Sequence, residues 1–100
     1  MNELIKFSAR KVFNLLKLQE ITPYDLLNAA LMRIKETNPS INSIPTLCID
    51  RAENQINNMK STYSAKSNNS IGFLYGIPLV IKDLTDVKGV RTTMGSKIFA

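Results

Sequence analysis

One apolar run, Ile77-Pro78-Leu79-Val80-Ile81, ends in the charged pair Lys82-Asp83, and it constrains this chain more than any other feature. Short aliphatic and β-branched runs read as buried strands. The pattern predicts a single strand over residues of about 78–82. A lone interior strand leaves backbone donors and acceptors unpaired along both edges. No other segment supplies an obvious neighbour, so the strand points to a piece of a larger α/β protein or to an obligate assembly. The lysine adds a second constraint. An ammonium group at the end of a buried strand must be paired, hydrogen-bonded or neutral. Lysine loses its proton readily on burial, which suits it to base chemistry. Taken with the strand alone, Lys82 reads as a side chain that snorkels to the surface.

The residues before the strand read as helices. Ser8 can cap a first helix over about 9–18, with Val12, Leu15 and Leu16 on its apolar face. Gln19-Glu20-Ile21 is the expected break. The second helix, over about 23–37, has the clearest start: Thr22 fits the N-cap, Pro23 the first helical position, and Asp25 the reciprocal capping carboxylate. Leu27, Ala30, Leu31 and Ile34 give it one buried face, and Asn38-Pro39-Ser40 is expected to end it. Residues 41–49 are mixed, with Pro45 demoting them to an edge strand or irregular segment. Asp50 is expected to open a third helix, over about 51–63, with Glu53 in a capping-box position. Ala52, Ile56, Met59 and Tyr63 recur on one face. Ser64 to Ser70 is an Asn/Ser-rich loop, and Thr85, Gly89, Thr92, Thr93, Gly95 and Ser96 form a hydroxyl- and glycine-rich one.

Composition excludes several classes. One hundred residues make one small domain at most, and 44% hydrophobic content is that of a globular protein. With no histidine and one cysteine, Cys48, a zinc site is not expected, nor any other metal or organic cofactor. Leu47 and Ile49 flank Cys48 and predict a buried thiol. The net charge of +5 is spread along the chain without a nucleic-acid-binding motif, so a solvated surface is expected and no nucleic-acid partner. Charges at Glu3, Lys6, Arg10, Lys11 and Lys17 break any leader or membrane span, which makes a cytoplasmic location the default. Asn68-Asn69-Ser70 fits a glycosylation acceptor but has no secretory context.

The strand and its flanks also resemble a known family. Gly76-Ile77-Pro78, the apolar strand ending in Lys82-Asp83, the turn Asp86-Val87-Lys88-Gly89, and Thr92-Thr93-Met94-Gly95-Ser96 follow in the order and spacing of the N-terminal part of amidase signature enzymes. Thr22 to Leu27, Arg33-Ile34, Asn38 to Ser43 and Asp50 to Glu53 resemble the same family upstream. The likeness runs from about Ser8 to Ser96. Phe73 departs from it, standing where the family often has proline.

The resemblance implies an α/β fold of which these residues are the N-terminal part: about three helices, a buried core strand and a Gly/Thr-rich loop, an incomplete domain. It implies amide hydrolysis by a Ser–Ser–Lys triad. A neutral lysine contacts a bridging serine, which contacts the nucleophilic serine that forms the acyl-enzyme. Lys82 matches the lysine, the general base. Both serines lie downstream in the family, so they are expected to lie outside this chain, and Ser96 is not the nucleophile. The isolated 100 residues are then expected to be inactive, with the rest of the domain as their partner and a small amide as the parent's substrate. Thr92, Thr93 and Ser96 are candidates for the substrate pocket, although hydroxyls in such loops commonly bond the local backbone. Asp83 points away from Lys82 on a strand and is expected to fix the loop. Within the family, Leu84-Thr85-Asp86-Val87 leans toward a general amidase over the glutamine-dependent tRNA amidotransferase's A subunit. A competing reading outside the family is a small basic helical interaction module without catalysis.

Overall fold

In the computed structural model the described residues are 2–65 and 75–99. A 3-10 turn at Asn2–Lys6 leads into three helices: α1, Ala9–Lys17; α2, Pro23–Ile41; and α3, Ile49–Ala65. A second 3-10 turn, Lys97–Phe99, closes the described chain. Between them, residues 75–96 run as extended backbone and turns.

The helix starts follow their caps. The Ser8 hydroxyl accepts from the Lys11 N–H at 3.1 Å. Thr22 and Asp25 form the reciprocal capping box: the Thr22 hydroxyl accepts from the Asp25 N–H at 3.2 Å, and the Asp25 carboxylate accepts from the Thr22 N–H at 2.9 Å. The end of α1 carries no sequence signal beyond the polar break. Gln19 takes φ 61°, its N–H bonds the Leu16 carbonyl at 3.0 Å, and the Glu20 N–H bonds that of Leu15 at 3.0 Å. That is a Schellman ending with glutamine in the left-handed position.

Two helix boundaries differ from expectation. Helix α2 does not stop at Asn38. It carries Pro39 inside its last turn and ends at Ile41, with Asn42 as a left-handed C-cap at φ 47°. So close to the end, proline forfeits one hydrogen bond on an exposed side and the turn survives. Asn38 repairs the exit. Its amide donates to the Ile44 carbonyl and its carbonyl oxygen accepts from the Ile44 N–H, both at 2.9 Å. Helix α3 begins at Ile49, one residue before Asp50, and the Ala52 N–H reaches the Cys48 carbonyl at 3.0 Å. Asp50 therefore sits in the first turn, where its charge complements the helix dipole, and is not the cap. Cys48 is exposed, contrary to the buried thiol expected from its apolar neighbours.

Leu4, Val12, Leu16, Leu26 and Ala29 form the core, with Phe7, Ile21 and Ile77 packed against it. On α2 the buried stripe is Leu26, Leu27 and Ala29, while Ala30, Leu31 and Ile34 are half-buried. The face is thus rotated by about one residue from the periodicity reading, because Asn2–Lys6 covers it from one side. The Tyr24 hydroxyl donates to the Asn57 side-chain carbonyl and ties α2 to α3.

The larger correction concerns residues 78–82. No strand forms among the described residues. The segment is extended, but Leu79 is 63% exposed, Val80 73% and Ile81 54%. Without a neighbouring strand there is no ladder to bury it. The loop expected from Ser64 lies outside the described residues from 66 onward, as do Asn68 to Ser70 and Phe73.

Candidate functional site

The segment that carries Lys82 is held at its start by the helices. Gly76 is left-handed at φ 74° and lies so close to the α1–α2 junction that a Cβ there would stand 3.0 Å from Pro23 Cγ and 3.2 Å from Leu16 Cδ1. Ile77 follows into the core. Beyond it the chain leaves the helices. Lys82 is exposed, and its carbonyl accepts from the Thr85 N–H at 3.0 Å. Among the described residues its amine has no hydrogen-bond or ion-pair partner.

Asp83 is the most heavily bonded residue of the segment. Its Oδ1 accepts from the Thr93 N–H at 2.9 Å, and its Oδ2 accepts from the Thr93 hydroxyl and from the Gly95 N–H at 3.1 Å. Its main-chain carbonyl accepts from the Met94 N–H at 3.1 Å. Three successive backbone N–H groups therefore converge on one residue. Met94 at φ 55° and Gly95 at φ 70° supply the left-handed turn that aims them. For methionine that conformation costs about 1–2 kcal/mol, and the clasp to Asp83 holds it. The donors, led by the Thr93 hydroxyl and followed by the Thr93 and Gly95 N–H groups, favour the ionised carboxyl and hold it below its usual range, against a smaller opposing effect of burial.

The hydroxyl candidates are partly committed elsewhere. Thr93 spends its hydroxyl on Asp83. Ser96 accepts from the Ile98 N–H at 3.2 Å, and Thr92 is half-buried. The clasp brings Thr92, Thr93 and Ser96 into one loop joined to the residue after Lys82. Between the two, Val87 and Val90 form an antiparallel bridge across a tight turn in which Gly89 takes φ 79°. The Arg51 guanidinium donates to the Lys88 carbonyl and fastens this turn to α3. That bond, like the Asp83 clasp, leaves no periodic trace in the sequence. An open depression lies beside it, lined by Leu47, Asp50, Arg51, Gly89 and Val90, but Lys82 does not line it. Among the described residues no helix is long and apolar enough to cross a membrane.

A family model described as amidase matches residues 25–100. The chain belongs to the amidase family. The match begins in the first turn of α2 and takes in α3 and the whole Lys82–Ser96 segment. Among relatives, the chain is 36% identical over 97 residues to the glutamyl-tRNA(Gln) amidotransferase A subunit from Neorickettsia sennetsu, covering 97% of this amidase-family chain and 20% of the relative. It is 34% identical over 98 residues to the protein of that name from Dehalococcoides mccartyi, 98% of the chain and 20% of the relative. With that of Francisella tularensis it shares 40% identity over 79 residues, 79% of the chain and 16% of the relative. The chain thus spans about one fifth of the length of the curated relatives it matches. No solved structure matches it. These relatives carry the name of the A subunit, the alternative within the family, and not the general amidase expected from the residues after Asp83.

Proposed function

We propose that these residues are the N-terminal part of an amide-hydrolysing Ser–Ser–Lys enzyme of the A-subunit type, and that Lys82 is its general base. The observation that carries this reading is the likeness to glutamyl-tRNA(Gln) amidotransferase A subunits along 97% of the chain, together with an amidase match that includes Lys82 and Asp83. The two serines come from sequence outside these residues. In the reaction, the nucleophilic serine attacks the amide carbonyl and gives up its proton through the bridging serine to the Lys82 amine. The amide C–N bond breaks, the leaving nitrogen takes that proton, and the acyl-enzyme is released by water. With glutamine the leaving group is ammonia. A tRNA-linked use of that ammonia follows from the relatives' name.

A lysine accepts a proton only as the neutral amine, and desolvation favours that form. The apolar residues around it support a buried setting in the complete domain. Leu79, Val80 and Ile81 are suited to a strand at 78–82 covered on both faces, and the 58% exposed Leu84 follows just beyond it. Thr92, Thr93 and Ser96, in the loop clasped to Asp83, are proposed to border the substrate pocket. Steady-state glutamine hydrolysis by the full-length protein tests the reading. Lys82→Met is expected to lower kcat on the order of 10³-fold or more. Retention of wild-type turnover by that variant refutes it.

A further inference from the structure

We infer that Asp83 is a positioning residue for this reaction: by clasping residues 93–95 it fixes the main chain that carries Lys82 against the loop that borders the substrate. The inference rests on the proposed role of Lys82 and adds a second residue to it.

The geometry sets Asp83 apart from an ordinary loop carboxylate. Both oxygens are committed, to the Thr93 N–H, the Thr93 hydroxyl and the Gly95 N–H, and the main-chain carbonyl takes the Met94 N–H. All four bonds come from one three-residue turn, ten to twelve positions downstream. The Lys82 amine is not among its partners, so Asp83 acts through the backbone and not by pairing with the base. Lys82 and Asp83 share a peptide bond, so tilting the Asp83 main chain moves the root of the lysine side chain. At the other end, Gly76 and Ile77 anchor the segment to the helices. Residues 78–82 are therefore fixed at two points. Loss of the distal point leaves a base on a tether, and displacement of a reacting group by about 1 Å costs on the order of 100-fold. An asparagine cannot substitute. It keeps one acceptor oxygen and places an NH₂ donor against donors.

The test uses the full-length protein with glutamine as substrate, and an acylating active-site titrant to count competent sites. Asp83→Asn is expected to lower kcat per titrated site about 10- to 100-fold with KM changed less than about 3-fold. Thr93→Val, which removes the hydroxyl donor, shows a smaller loss of the same kind, and Thr93→Ser recovers most of it. In the Asp83→Asn background, Thr93→Val adds little, because the bond is already gone. If Asp83→Asn does not fold, the Thr93 pair alone decides. A role confined to stability lowers the number of titrated sites and leaves kcat per site at the wild-type value, and that outcome overturns the inference. So does full multiplication of the two effects in the double variant. Lys82→Met separates the two readings: if it abolishes turnover while Asp83→Asn leaves kcat per site intact, only the positioning role fails.

Discussion

The anchor at Gly76 gives the sharpest stability prediction. Replacing Gly76 with alanine does two things. It puts a Cβ on a residue at φ 74°, a left-handed conformation that costs an L-residue about 1–2 kcal/mol. It also drives that carbon to 3.0 Å from Pro23 Cγ and 3.4 Å from Pro23 Cβ. A proline ring at the first position of a helix cannot swing away, so this is overpacking, which costs about 1–3 kcal/mol. Burying one methyl returns at most about 0.8 kcal/mol. The net loss is about 1–4 kcal/mol. Gly95 is the internal control. It takes a similar φ of 70° but has nothing within 4 Å of where a Cβ would lie, so Gly95→Ala meets the backbone cost alone, about 1–2 kcal/mol. Denaturant unfolding of the two variants beside wild type, at constant m, measures both. The difference between them isolates the contact with Pro23. Equal losses refute the packing argument, and no loss at Gly76 refutes the placement of this segment against the helices.

Other consequences can be read directly. Thr22→Ala removes one half of the capping box and is expected to destabilise the fold by about 1 kcal/mol in the same unfolding assay. Cys48 is exposed and is expected to react fully with a thiol reagent such as dithionitrobenzoate in the native state, where a buried thiol reacts only on unfolding. Asp83 sets a pH dependence. Its folded pKa is lowered, so its contribution to stability is complete above the ordinary carboxylate range and is lost as pH falls through the lowered folded value. The Thr93 and Gly95 amide resonances are expected to titrate together in that acid window, and the stability gap between wild type and Asp83→Asn to narrow through it.

What is legible in the sequence and what is not divide along a physical line. Ser8 and the Thr22-Pro23-Asp25 box act over three or four residues, so their chemistry is fully present in the local sequence, and both caps form. The family is legible because the Gly-Ile-Pro, Lys-Asp and Thr-Thr-Met-Gly-Ser elements hold a fixed order. The end of α2 escapes a local reading because a proline breaks a helix only where enough of the helix remains to be broken, and Pro39 lies in the last turn. The Asn38–Ile44 clasp that makes that turn viable is a side-chain bond to a loop whose path the sequence does not state. Burial of Cys48 does not follow from its flanking residues, whose apolar character says nothing of what packs over them: Leu47 is itself 47% exposed. The Asp83 and Arg51 bonds span 10 and 37 residues, beyond any local pattern. Thr92, Thr93 and Ser96 stand out in the sequence as hydroxyls of one loop, but the commitment of the Thr93 hydroxyl to Asp83 emerges only from the fold.

The contrast between the ends and the middle of residues 76–95 argues for how this segment is used. Gly76 and Ile77 are seated on the helices, Arg51 holds the Lys88 carbonyl, and Asp83 gathers the N–H groups of residues 93–95. Each fastening uses this chain's own atoms. Leu79 to Ile81, with Lys82 at their end, remain exposed. Exposed aliphatic residues in sequence are poor choices for a surface and good ones for a strand buried on both faces. The segment is thus fastened at both ends, and its apolar middle is exposed. On the proposed reading, covering that middle desolvates the lysine at its end, so completing the fold and preparing the base are one event. Burial of Leu79, Val80 and Ile81 therefore bears on chemistry. Val80→Asp is expected to lower both folding yield and turnover, whereas Ile98→Asp, at a side chain 88% exposed and apart from this run, is expected to change neither by more than about 2-fold. Equal effects of the two, measured as soluble yield and glutamine turnover of the full-length protein, contradict the argument.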